Sequence, residues 1–199
     1  MAITPQKFEQ QLQALSAAKI ETLFVRDVPA ILSGSIAPQD KVVLTFDDGY
    51  EDFYTDLFPL LKQYNAKATF YIVNDFIGKN DYLTEPQIRE ILASGLVEIG
   101  SHTLHHTDLR WLSGQEAADE ILGSKSDLER RFSVPVTTFS YPAGSYWPKT
   151  VQRVRDAGFM AAVTTKGSAF QGRKGVFELR RLRPGAATGK AFLHLVQGK

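Results

Sequence analysis

The hydrophobic pattern of the chain switches repeatedly between two periods. Short apolar, β-branched runs read as strands: ETLFV (21–25), KVVLTF (41–46), KATFYIV (67–73), LVEIG (96–100), VTTFSYP (136–142), FMAAVTT (159–165) and VFELRRL (176–182). KVVLTF reads as a more buried strand than ETLFV. Between these runs lie amphipathic stretches with helical spacing. Thr4 followed by Pro5 starts a helix that buries Phe8, Leu12 and Leu15. A second helix, about 51–64, presents Phe53, Leu57, Leu60, Leu61 and Tyr64 on one side. Further helices run from Thr84 to about Ala93, over about 114–131 behind a Ser113–Glu116 capping box, from Pro148 to Ala157, and over about 189–197. No repeat and no Gly/Ser/Pro-rich linker divides the chain, so it reads as one domain over 1–199. Strand–helix alternation with mostly apolar strands predicts a parallel α/β architecture, either an open doubly wound sheet or a barrel. Both place chemistry just beyond the C-terminal ends of strands.

Composition narrows the functional classes. With 199 residues, 43% apolar and 23% charged, the chain is an ordinary globular one, and a net charge of +1 offers no global field for nucleic acid. One local basic cluster holds Arg173, Lys174, Arg180, Arg181 and Arg183 against Glu178. The absence of cysteine excludes disulfides, thiolate metal sites and cysteine nucleophiles. The N-terminus as given has no long apolar region, so it is neither a signal peptide nor a membrane span. Compartment and oligomeric state stay open.

Three strand ends carry unusual chemistry. KVVLTF ends in Asp47-Asp48-Gly49, LVEIG runs into SHTLHHTDL with His102, His105 and His106, and VTTFSYP ends in a Pro142-Ala143-Gly144 turn. Taken singly these are an ordinary turn, surface histidines and another turn. Jointly, on the rim of one parallel sheet, they point to a divalent metal. His102 and His106 are spaced i, i+4, so one helical turn would stack their imidazoles. Two imidazoles and a carboxylate leave positions open for water and substrate. Two adjacent aspartates cannot serve one ion equally, which predicts that one ligates while the other acts as base.

In that order, LTFDDGYEDF, EIGSHTLHHTDL and TFSYPAGSY resemble the signature motifs of the polysaccharide deacetylases (NodB-homology domain, carbohydrate esterase family four). The segments ITPQKFEQQLQAL, KATFYIV, YLT, GFMAAVTT and LRRLRP extend the resemblance over nearly the whole chain, nearest the poly-N-acetylglucosamine subgroup. The resemblance implies a distorted (β/α) barrel of about seven parallel strands. Relatives commonly begin with a further strand bearing a Tyr-His pair, which the chain as given does not show. It implies removal of acetyl groups from an N-acetylglucosamine polysaccharide or oligosaccharide with one divalent ion, Zn2+ first, with Co2+, Ni2+ or Fe2+ as alternatives. Carried over by position, Asp48, His102 and His106 hold the ion and Asp47 is the catalytic base. Tyr141, Pro142, Ala143 and Gly144 line the substrate groove, with the Ala143 N–H on the oxyanion. His105 falls on a variable position. Full-length relatives are usually exported or envelope-bound.

The chain departs from the pattern at several points. Ser140 stands where many members carry an arginine that orients the base, and Arg181 from the late strand is the expected substitute tether for Asp47. Many relatives supply a general acid from a Leu-x-His motif; here only His194 in FLHLV is available, on a helix. Ala143 replaces an aromatic, and Tyr146 and Trp147 are further candidates for stacking on sugar. Two alternatives stay open: an amidohydrolase of the same fold acting on a small cyclic amide or ureide, and a carbohydrate-binding module that has lost turnover.

Overall fold

Each apolar run pairs with the next in chain order, and the result is a curled sheet of six parallel strands, β1-β2-β3-β4-β5-β6. The strands are β1 (Glu21–Leu23), β2 (Lys41–Phe46), β3 (Ala68–Ile72), β4 (Val97–Ser101), β5 (Thr138–Ser140) and β6 (Ala161–Val163). The structure is a computed structural model that describes residues 3–169, 171 and 175–198. Among the described residues seven α-helices accompany the strands: α1 (Pro5–Ala17), α2 (Val28–Leu32), α3 (Phe58–Gln63), α4 (Glu85–Ala93), α5 (Gly114–Phe132), α6 (Pro148–Asp156) and α7 (Gly189–Gln197). None among the described residues is long and apolar enough to cross a membrane. This half-barrel is the expected α/β fold.

The core has two layers because successive strand residues face opposite sides. Phe70, Ile72, Ile99 and Phe139 point outward into the main cluster, where Leu61, Ile88, Ile121 and Leu128 of the helices meet them. Val43, Tyr71, Ala161 and Val163 point inward, joined by Val25 and Leu179. Inside the curl, Gly100 is obligatory. A Cβ there would sit 2.4 Å from the Tyr71 ring. Glu98 closes the lower end, accepting hydrogen bonds from Thr69 Oγ1 (2.7 Å) and the Arg26 N–H, with the Arg26 guanidinium 3.2 Å away.

Three expectations are corrected. VFELRRL forms no strand: Leu179 makes an isolated parallel bridge to Val163. Ala162 donates to Val176 O and Thr164 to Leu179 O, while Glu178 N–H turns back to Gly175 O. The tight turn spends the extra residue and interrupts the ladder. The predicted 51–64 helix is broken into a π-helical turn, Phe53–Leu57, and α3, because Pro59 has no N–H with which to continue an α-helical ladder. Strand β2 is partly exposed at every position, whereas two of the three residues of β1 are buried, so it is not the more buried of the two.

Candidate active site

Strand alternation carries Val43 and Thr45 inward and delivers Asp47 to the same side, just past the end of β2. There Arg181 meets it, with Nη1 2.8 Å from Asp47 Oδ1. The guanidinium is held in turn by Thr164 O (2.9 Å from Nε) and lies 3.4 Å from both Thr45 Oγ1 and Ser140 Oγ. Ser140 donates to Asp47 Oδ1 at 3.3 Å. Burial alone would raise the pKa of Asp47, but the Arg181 charge and hydrogen bond, with His102 and Ser140, hold it below the ordinary carboxylate value. Asp47 is therefore an ionised acceptor at neutral pH. The structure thus brings Arg181 and Asp47 together.

Asp48 turns the other way, with φ of 77°. Its Oδ1 lies 3.5 Å from His102 Nε2 and 3.4 Å from His106 Nε2. The three ligand atoms lie within 4.8 Å of one another. Donors around an ion with ~2.1 Å bonds in tetrahedral geometry sit roughly 3.4 Å apart, which the two Asp48–histidine distances match. His102 donates from Nδ1 to Ser140 O at 2.7 Å, which fixes the tautomer and leaves the Nε2 lone pair toward Asp48. Burial and the adjacent His102 lower the pKa of His106, against the pull of the two carboxylates, so it stays neutral and able to ligate.

The two histidines do not stack on a helical turn. The segment after β4 is irregular, with Thr103 at φ 67° and His106 at φ 61°. The rings meet at 4.8 Å and 68°. Thr103 Oγ1 accepts the His106 N–H at 3.0 Å, and the His102 N–H donates to Ile72 O. His105 points away, exposed, with Nδ1 2.5 Å from Glu120 Oε1.

At the third strand end the backbone turns through Ala143 (φ 54°) and Gly144 (φ 69°). Gly144 cannot be replaced, because its Cβ would lie 2.6 Å from the Thr165 backbone nitrogen. Ala143 is exposed and its N–H has no acceptor among the described residues. Tyr141 is corrected: its ring is fully buried and its hydroxyl donates to Phe177 O, so its side chain is closed to a sugar. Pro142 is likewise buried. Tyr146 donates to Glu178, whereas Trp147 is 58% exposed on the surface. His194 is exposed on α7, which packs against α1, and nothing described joins it to the aspartates. Of the basic cluster, Arg180 and Arg183 are exposed and Arg181 turns inward; Arg173 and Lys174 lie outside the described residues.

The sequence model of the family described as polysaccharide deacetylase matches residues 35–162. The chain belongs to the polysaccharide deacetylase family. Its sequence is 34% identical over 195 residues to YxkH of Bacillus subtilis (strain 168), a protein assigned to polysaccharide deacetylases, covering 96% of this chain and 69% of that one. It is 24% identical over 181 residues to the poly-beta-1,6-N-acetyl-D-glucosamine N-deacetylase of Staphylococcus epidermidis, covering 84% and 63%. Its fold superposes on the Streptococcus pyogenes deacetylase PplD, solved in complex with acetate, with a TM-score of 0.92 and 29% identity over 98% of this chain and 87% of that one. The chain is thus a deacetylase-family hydrolase of N-acetyl amide bonds. Deacetylases of this family generally use a divalent metal, and Asp48, His102 and His106 could hold one.

Proposed function

We propose that the chain is a metal-dependent N-deacetylase that hydrolyses the acetamido groups of an N-acetylglucosamine polysaccharide or oligosaccharide and releases acetate. The observation that carries the reading is the pairing of one donor set, Asp48 with His102 and His106, and one tethered carboxylate, Asp47 with Arg181. A divalent ion in that set, Zn2+ first and Co2+, Ni2+ or Fe2+ by the same donors, supplies Lewis acidity for the acetamide carbonyl and for water.

The protein's own groups do the rest. Asp47, kept ionised by Arg181 and Ser140, takes the proton of the attacking water as its oxygen bonds to the carbonyl carbon. The Ala143 N–H, exposed at the turn, donates to the oxyanion; a donor of this kind is worth about 3–4 kcal/mol of barrier. The C–N bond then breaks, and Asp47 returns its proton to the leaving nitrogen. Acetate and the free amino sugar are the products. Buried Tyr141 and Pro142 contribute the wall behind the turn and Gly144 its tight packing on Thr165.

The test is acetate release from chito-oligosaccharides, poly-β-1,6-N-acetylglucosamine and a small cyclic amide, after chelation and after adding back Zn2+. Release from the acetylated glycans that is abolished by chelator and by Asp48→Asn, and restored to the wild type by Zn2+, is the expected result. Turnover of the cyclic amide alone would transfer the site to the amidohydrolase reading. Glycan binding without acetate under any metal would leave a binding module.

A further inference from the structure

Helix α5 carries polar residues where its pattern calls for apolar ones. Ala117, Ile121, Leu128 and Phe132 are buried against the sheet, yet the same face also buries Glu120 (9% exposed) and Ser124 (0%), with Asp127 half-buried one turn further. A carboxylate at a core-facing position is costly unless it is fully partnered. Outside α5 itself, the partners of this stripe belong to the end of β4, to the segment after it that bears the metal-site histidines, or to the loop after β3. Glu120 Oε2 accepts the N–H groups of Leu104 (3.0 Å) and His105 (3.1 Å), and Oε1 meets the His105 ring. Ser124 Oγ lies 2.6 Å from Ser101 Oγ, the residue before His102. Asp127 accepts from Asn74 Nδ2 at 2.9 Å, and Asp75 N–H donates to Leu104 O at 2.9 Å.

The segment needs such anchoring. It leaves β4 without helical or strand bonds of its own, and it places Thr103 and His106 at positive φ, which a non-glycine residue holds only when its surroundings over-determine it. Two of its three central N–H groups end on one oxygen of Glu120, and the third, of His106, ends on Thr103 Oγ1. We infer that Glu120 is a positioning residue for the metal site: its carboxylate, by holding the Leu104 and His105 N–H groups, sets where His106 Nε2 stands relative to His102 and Asp48. This rests on the metal reading above.

The two oxygens of Glu120 have separable tasks, which makes the role testable apart from activity. Glutamine keeps an acceptor for the two N–H groups and presents an uncharged NH2 donor, in place of the carboxylate oxygen, toward His105. Alanine removes the acceptor, and aspartate withdraws it by one methylene. The Zn2+ dissociation constant of the folded protein, measured by competition with a chromophoric chelator, is the readout. Glu120→Ala and Glu120→Asp weaken Zn2+ binding by about tenfold or more, while Glu120→Gln stays within about threefold of wild type. Leu128→Ala, on the same helix but packed only in the apolar core, lowers the thermal midpoint and leaves the Zn2+ constant unchanged. Should Glu120→Ala not fold, the contrast between aspartate and glutamine decides. Zn2+ binding by both Glu120→Ala and Glu120→Asp within about twofold of wild type overturns the inference alone. A wild-type protein that takes up no Zn2+ overturns the metal reading and this inference with it.

Discussion

Asp47 and Asp48 are consecutive residues that the backbone turns toward different partners. Asp47 keeps the strand's alternation and faces Arg181 and Ser140. Asp48, at φ 77°, swings to the histidines, a conformation that costs about 1–3 kcal/mol in a non-glycine residue and is offset by its neighbours. Removing only the base should therefore separate chemistry from metal binding. Asp47→Asn lowers kcat by about 10²–10⁴-fold and leaves Zn2+ uptake intact. Arg181→Ala frees the carboxylate from its tether and lowers kcat by about tenfold or more with little change in KM. Steady-state kinetics on an acetylated oligosaccharide check both, and normal turnover in Arg181→Ala would remove it from the site. The two carboxylates and the two histidines were legible as residue types at strand ends, and Arg181 only through the resemblance to the family. Ser140 was legible only as a departure from a pattern, because its contacts come from residues far away in sequence: Asp47, His102 and Arg181.

At the scale of elements, α5 shows what local pattern conveys and what it hides. Its start at a Ser113–Glu116 capping box and its length follow from the chain alone, since both depend on neighbours within one turn. Its inward polar stripe does not, because the partners of Glu120 and Asp127 in the segment after β4 and the loop after β3 lie far away along the chain. The same stripe gives the helix an acid limit. Partial burial would raise the pKa of Asp127, but hydrogen bonds from Asn74, Arg130 and Arg131 bring it below its ordinary value of 3.8. A carboxylate with a depressed folded pKa stabilises the fold above its unfolded pKa and loses that contribution as pH falls through the folded one. The thermal midpoint of the wild type therefore declines below about pH 4, and Asp127→Asn declines less steeply while being less stable at pH 7. Equal slopes in the two proteins would show that Asp127 plays no part. The late VFELRRL run marks the opposite case, a strand pattern overruled by a turn. Leu179 keeps its inward place through a single bridge, and Arg181 reaches Asp47 from the residues that follow it.

For the whole molecule, the site joins parts that no local interaction ties together. Asp48 follows β2, the histidines follow β4 with β3 between them, and Arg181 comes from beyond β6. An ion held by Asp48, His102 and His106 would cross-link two strand ends and stabilise only the folded chain. At a hundredfold excess over its dissociation constant, Zn2+ should add about 2.7 kcal/mol to the free energy of unfolding. A rise in thermal midpoint that saturates with Zn2+ and vanishes in Asp48→Asn is the expected outcome of a thermal-shift titration. An identical rise in Asp48→Asn would place the ion elsewhere. The sequence by itself determined the alternation of strands and helices, the donor types and their position at strand ends, since periodicity and motif order are written within a few residues. Only the tertiary structure decided that the histidines converge through a strained loop, that Tyr141 faces the core, and that Glu120 turns inward to accept the Leu104 and His105 N–H groups. Those outcomes depend on the curl of the sheet and on contacts between residues distant in the chain, which no local pattern encodes.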